Sequence, residues 1–314
     1  MAETAVLVNE FGEIGIDHEL VETVDENLVE LTTGCLCCAV QGDLSRVLRE
    51  LFLKRVKDEI PKFRRILIET TGLADPAPIL HTLITDPIIC NRYYLDGVIT
   101  TSDGVFGSEQ LDLHEEPKKQ IAVADRIVLT KTDLGEKNKL NLLEKRIKQI
   151  NPGAKIIRAV NGNVAPNALF GCGLYNPESK NFDVQNWLRD EAFHSQKPHH
   201  NHGTNRQDRH SGGISAFSIR YKEPIEWPAF VAWIQTLITH RGENLLRIKG
   251  IVNIQDEKQP IAIHGVQHIF HQPVRLPEWS NNDRDSRIVF ITRDLDEKII
   301  KDSLDALQKA AKKE

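Results

Sequence analysis

Apolar and polar positions change period repeatedly along the first half of the chain. Residues 5–8 open as a short apolar run, and Leu44, Val47, Leu48, Leu51 and Phe52 recur at helical spacing, predicting a helix over 44–56. Residues 65–69 read as a buried strand that ends in a carboxylate, and 97–101 and 126–130 read as further strands. Between them, 76–83 and 117–124 read as helices, each opened by a proline that suits a first turn. An amphipathic helix over 137–149 and a strand over 155–159 follow. Short β-branched runs alternating with amphipathic segments predict an α/β fold, a mostly parallel sheet covered by helices.

The pattern stops between about 193 and 213. There His194, His199, His200, His202 and His210 sit among Asn, Gln, Arg and Gly with almost nothing apolar, as in an exposed linker. Beyond it, 214–220, 245–254, 259–270 and 287–292 are strand candidates, and 227–239 and 296–311 are helical. The expected partition is therefore a domain over 1–190, a His-rich linker over 191–212 and a smaller α+β domain over 213–314. No internal repeat is visible.

Charge narrows the partners. Lys plus Arg number 40 against 45 Asp plus Glu, a net charge of -5, so no basic excess exists to grip a phosphate backbone, and nucleic acid is not expected as a partner. No stretch approaches the length of apolar sequence that spans a bilayer, so no membrane association is expected. Glu3, Glu10, Glu13, Asp17, Glu19 and Glu22 do not fit the basic start of a signal peptide, which places the protein in the cytoplasm. The five cysteines include Cys35, Cys37 and Cys38, too clustered to pair as a secreted framework, and reduced thiols there point to metal or redox chemistry.

Four elements carry candidate chemistry. Thr130-Lys131-Thr132-Asp133 follows a hydrophobic strand, where ligands bind in open α/β sheets. The Asp133 carboxylate can accept both the ring N–H and the exocyclic amine of guanine, a donor pair adenine lacks, and the Lys131 stem can pack over the base. In the second element, the strand ending at Glu69-Thr70-Thr71-Gly72 would deliver a carboxylate able to hold magnesium through water, with Gly72 allowing close approach to a terminal phosphate. It is expected to lie in the same sheet as the guanine-type motif. Third, Cys35 and Cys37 would share one side of an extended segment, and a loop would let all three thiolates converge on zinc or a similar cation. Three thiolates so close leave a ligand position to be filled from elsewhere, and Glu10 and Glu13 are the nearest carboxylates in sequence. Cys90 and Cys172 are assigned to packing. Fourth, the histidine-rich segment reads equally as a loose site for zinc, nickel or cobalt and as a linker of biased composition. His264 and His268 are expected to share a strand face and, with His271, to serve packing.

Taken together, Asn9-Glu10-Phe11-Gly12-Glu13 through Asp17, Gly34-Cys35-Leu36-Cys37-Cys38, Glu69 to Pro76 and Thr130 to Asp133 resemble the CobW-type metallochaperone GTPases. Leu246-Arg247-Ile248-Lys249-Gly250, His264 to His268, Trp279 and 287–292 are similar to that family's C-terminal domain. The resemblance implies a domain that binds and hydrolyses GTP with Mg2+ and couples the nucleotide state to delivery of Zn2+, or Co2+, to a client metalloprotein. By this resemblance Cys35, Cys37 and Cys38 would be metal ligands assisted by Glu10 or Glu13. Asp17 would lie in a switch loop, and Glu69 and Gly72 would sense magnesium and the terminal phosphate. Thr130, Lys131 and Asp133 would read guanine. None of the 19 glycines is followed by lysine, so the family's G-x-x-x-x-G-K-[ST] phosphate loop is not found in these residues. The expectation is a domain incomplete at its N-terminus, lacking its first strand, phosphate loop and helix, and either truncated or genuinely shortened with hydrolysis impaired. The alternative function is a non-enzymatic metal-binding or storage protein, and a homodimer is compatible with either.

Overall fold

The computed structural model describes residues 4–8, 36–176, 181–189, 191–194, 213–279 and 282–311, of which 36–43, 175–176, 181–182, 186 and 194 are described by their backbone alone. The chain forms two compact units, Met1–Tyr94 and Leu95–Glu314.

In the first unit, β1 (Thr4–Val8) pairs in parallel with β2 (Arg65–Glu69), with Val8 opposite Glu69. Helix α1 (Leu36–Val56) joins them and turns Leu44, Val47, Leu48 and Leu51 onto Ala5 and Leu7 of the sheet. The helix begins a full two turns before the predicted start, so Cys37 and Cys38 lie on helical backbone instead of in an extended segment or loop. The apolar periodicity that marked the helix begins only at Leu44, which is why the sequence pattern placed its start there. Helices α2 (Pro76–Thr85) and α3 (Pro87–Cys90) complete the unit, each with proline at its first position. Asp75 caps α2 by accepting from the Ala77 N–H at 3.0 Å. Asp86 caps α3 and also accepts from Ser45 Oγ and, at 2.6 Å, from Arg49, tying α3 to α1. Burial opposes ionisation of Asp86, but the Ser45 and Arg49 hydrogen bonds and the cap N–H groups outweigh it and hold the carboxyl at about 2.

The second unit opens with a parallel sheet in the order β3 (Ile99–Asp103), β4 (Arg126–Thr130), β5 (Lys155–Arg158). Helices α4 (Gly107–Leu113) and α5 (Glu116–Val123) connect β3 to β4, and α6 (Lys137–Ile150) connects β4 to β5. Next come the short hairpin β6 (Tyr175–Asn176) and β7 (Asn181–Phe182) and the helices α7 (Val184–Leu188) and α8 (Glu191–His194).

An antiparallel sheet follows, built from β8 (Ile214–Tyr221), β9 (Leu245–Val252), β10 (Ile261–Val266), β11 (Ile269–Phe270), β12 (Val274–Arg275) and β13 (Ser286–Arg293). Its order is β11-β10-β9-β13-β8, with β12 on β10. Helices α9 (Trp227–Arg241) and α10 (Glu297–Ala311) cover one face, where Trp233, Phe290, Ile300 and Leu304 are buried. Helices α5, α6, α7 and α8 cover the other, where Leu143, Ile147 and Trp187 share a core with Leu246, Val289 and Ile291.

Every residue of β9 is buried, the signature of a strand whose two faces are both covered. That double coverage explains why packing groups residues 95–194 with the antiparallel sheet, whereas the sequence partition ran 1–190, 191–212 and 213–314. Two expectations are revised here. The predicted strand 259–270 is a hairpin of β10 and β11 that turns at Gln267 and His268, so His268 is exposed and does not share a face with His264. Cys90 is exposed at the end of α3, its thiol donating to the Ile84 carbonyl, while Cys172 is buried as expected.

Candidate functional site

At the carboxyl end of β4 the chain makes a tight turn. Lys131 adopts a left-handed backbone (φ 52°), and the Leu134 N–H donates to the Lys131 carbonyl at 3.1 Å. Thr130 Oγ1 donates to the Ser102 carbonyl at 3.3 Å, which fixes the last residue of β4 against β3. Thr132 Oγ1 donates to the Ala159 carbonyl at 3.2 Å and anchors the loop to the segment after β5.

Asp103, which ends β3, is the residue that organises this edge. One carboxylate oxygen accepts from the Val105 and Phe106 N–H groups at 2.7 and 3.1 Å, and the other pairs with Lys131 Nζ at 2.7 Å. Burial works against the charge, but the Lys131 hydrogen bond and the two N–H groups prevail, and Asp103 is held below the usual carboxylate range. Gly104 follows, its N–H donating to the Thr130 carbonyl at 2.8 Å. A Cβ at Gly104 would stand 2.6 Å from that same oxygen, so only glycine permits this approach. Asp133 is exposed and makes no hydrogen bond or ion pair among the described residues, so its carboxylate is available to an incoming pair of donors. The structure thus brings Thr130, Lys131 and Asp133 together on one loop. The sequence reading did not identify Asp103, although Thr101-Ser102-Asp103-Gly104 closes its strand as Thr130 to Asp133 closes the next one.

Glu69 and Gly72 lie in the other unit. Glu69 is the exposed last residue of β2, and a Cβ placed on Gly72 meets nothing within 4 Å. The Thr71 hydroxyl between them is buried without a hydrogen-bond partner among the described residues. Among the described residues β2 pairs with β1, and β4 with β3 and β5.

Cys37 and Cys38 fall in the first turn of α1, at adjacent helical positions about 100° apart. Glu10, Glu13, Asp17, Cys35, His199, His200, His202 and His210 lie outside the described residues, and His194 ends α8 with its backbone alone described. Among the described residues no cluster of three or more His, Cys, Asp or Glu side chains is placed to hold a metal. No helix among them is long and apolar enough to cross a membrane.

A second polar centre, which the sequence reading missed, lies at the opposite end of β4. Asp125 is enclosed by Arg247 and Lys249 of β9, at 2.6 and 2.7 Å, and accepts from the Val98 N–H at 3.0 Å. Burial raises its pKa, but the two cations outweigh burial and leave Asp125 ionised with a pKa of about 2. Beside it His264 and His271 stack across the β10–β11 hairpin, ring centroids 4.6 Å apart and 8° from parallel. Trp187 meets His264 edge-on. Burial, His271 and the two cations drive His264 far below its ordinary value, and burial with Arg247 and Lys249 takes His271 to about 4, so both rings are neutral. The available signal was Arg247 and Lys249 at i and i+2 in an otherwise apolar strand, a spacing that puts both on one face.

Comparison with known proteins agrees with this architecture. A family model described as CobW/HypB/UreG, nucleotide-binding domain, matches residues 1–158, and one for the cobalamin synthesis protein cobW C-terminal domain matches 214–308. The zinc chaperone YjiA of Escherichia coli (strain K12) is 31% identical over 306 residues, covering 97% of this chain and 90% of that protein. The zinc chaperone CobW of Pseudomonas aeruginosa is 30% identical over 332 residues, covering 96% and 82%. Among solved structures, the zinc-bound YjiA GTPase from E. coli is 26% identical with a TM-score of 0.69, covering 97% of this chain and 90% of that one. With family models on both halves and relatives aligned almost end to end, the chain belongs to the CobW/HypB/UreG nucleotide-binding family and carries a CobW C-terminal domain.

Proposed function

We propose that this protein is a GTP-dependent zinc chaperone, in which metal held by Cys35, Cys37 and Cys38 is coupled to the guanine-nucleotide state and passed to a client metalloprotein. The observation that carries the reading is the Thr130–Asp133 loop, with Lys131 pinned by Asp103 and Asp133 left open, in a chain whose zinc-chaperone relative aligns over 97% of it. In this reading the Lys131 stem covers the base, and Asp133 accepts the ring N–H and exocyclic amine of guanine. Thr130 holds the loop to β3.

Glu69, Gly72 and Asp17 attend the terminal phosphate and Mg2+. The exposed Glu69 carboxylate and the Thr71 hydroxyl, which has no partner among the described residues, are hard oxygen donors of the kind Mg2+ takes, so the residues present fit the ion. When bound, Mg2+ offsets negative charge on the phosphate oxygens. Glu10 and Glu13 complete the set around the zinc, for which thiolates are suited, with Co2+ the alternative cargo. His194, His199, His200, His202 and His210 form an auxiliary, loosely binding metal segment. The reading places the protein in the cytoplasm, where thiols stay reduced, and admits a homodimer.

Zinc affinity measured by chelator competition, with and without GTP, tests this reading. Linkage requires GTP to change zinc affinity by the same factor that zinc changes GTP affinity. Cys37→Ser should weaken zinc binding in both states. Phosphate released from GTP in the same samples reports the hydrolytic step separately. Equal zinc affinity in the two states would favour the storage reading.

A further inference from the structure

The amino end of β4 carries more positive charge than its surroundings balance. Asp125, Arg126, Trp187, Arg189, Arg247 and Lys249 line a narrow, open-mouthed cleft. Both oxygens of Asp125 are already engaged, by Arg247 and Lys249 on one side and the Val98 N–H on the other. Its single negative charge therefore faces two buried cations before Arg126 and Arg189 are counted. Arg126 is only 7% exposed, and among the described residues its Nε is buried without a hydrogen-bond partner and its NH1 donates to the Asp125 backbone carbonyl at 3.1 Å. Arg189 is half-buried, and no carboxylate pairs with it among the described residues. Burial lowers its pKa, and repulsion from Arg126 lowers it further. Lys249 is drawn down to about 8 by burial and by Arg247, against the pull of Asp125.

Among the described residues, one carboxylate set among four cations leaves a surplus of about three positive charges, an unfavourable arrangement for buried ions unless an anion answers it. We propose that this cleft is a binding site for an oxyanion of the phosphate class, held by Arg126 and Arg189 and balanced by Arg247 and Lys249. Guanidinium groups present paired N–H donors that match the oxygens of such an anion, and a dianion meets the surplus better than a single carboxylate does. The site is separate from the guanine loop, which lies at the other end of the same strand, and it depends on no assignment made there.

Thermal unfolding of the full chain, in buffer free of phosphate, sulfate and nucleotide, is the test. Inorganic phosphate is titrated in, with acetate and chloride as controls at matched ionic strength. Phosphate should raise Tm in a saturable manner, because a ligand that binds only the folded state stabilises it. Arg189→Gln should weaken the apparent phosphate affinity at least ~tenfold, the loss expected for one charge-assisted hydrogen bond. It should also raise the Tm of the anion-free protein, since it removes a repelling charge. Arg126→Gln should behave as Arg189→Gln does, and if it fails to fold, the half-buried Arg189 decides the question alone. The proposal is overturned if Arg189→Gln responds to phosphate as the unaltered protein does. An acetate response as strong as the phosphate response overturns the phosphate class.

Discussion

At its amino end β4 is preceded by a carboxylate that little solvent reaches, with an arginine and a lysine from a strand more than a hundred residues away closed around it. At its carboxyl end the same strand releases Lys131 and Asp133 into solvent, with one short-range ion pair to steady them. Five residues of one strand separate the two. The buried end fixes the antiparallel sheet to the parallel one by charges that have nowhere else to go. The open end keeps its polar groups available, so it contributes little to stability and, in the proposed reading, much to recognition. Changes at the first end should appear in folding, and changes at the second in binding.

The largest expected effect is at the buried end. Asp125→Asn leaves Arg247 and Lys249 buried beside a neutral amide, and should cost ~3–5 kcal/mol in urea-induced unfolding. A loss below ~1 kcal/mol would mean that the two cations find water or another partner, and the contrast between the ends would fail.

The second effect is one of pH. His271 has a folded pKa of about 4 against an ordinary 6.5, so the unfolded chain binds the proton that the folded one refuses. Stability from this group is fully present above pH 6.5 and is lost as the pH falls from 6.5 towards 4, by up to ~3 kcal/mol. His264 acts in the same direction. The groups facing the pair are Arg247, Lys249 and the Trp187 ring, none of which changes charge in that window. Urea midpoints measured across pH 4 to 7 should show this slope, and His271→Phe should flatten it.

The smallest effect on stability belongs to the open end. Asp133→Asn should move the unfolding free energy by no more than ~0.5 kcal/mol, as surface substitutions do. The same change should weaken guanine-nucleotide binding by ~10- to 100-fold, because an amide cannot accept from both guanine donors. Isothermal titration with GDP beside an unfolding curve checks both halves at once. A large stability loss, or unchanged affinity, would remove the distinction.

The open end was legible in the sequence for the same reason that it is exposed. Thr130 to Asp133 is a contiguous motif after an apolar run, and contiguous signals survive without knowledge of the fold. Most strands and helices were legible too, through periodicities that packing then used, as at Leu44, Val47, Leu48 and Leu51. The buried centre was not, because Asp125, Arg247 and His271 come from three distant segments and only packing assembles them. The His264–His271 stack shows the physical cause at the smallest scale. Alternation along a single strand pointed to His268 as the partner, but the hairpin folds the chain back and brings His271 across instead.

Gly104 carries a consequence for genetics. The β3 and β4 ends can close on each other only because that residue has no side chain: a Cβ would stand 2.6 Å from the Thr130 carbonyl. Any substitution there wedges Asp103 away from Lys131 and slackens the loop that presents Asp133. In the proposed reading, a variant of Gly104 should therefore surface in a functional screen as a loss of guanine affinity, although the residue that was changed offers no side chain to the base.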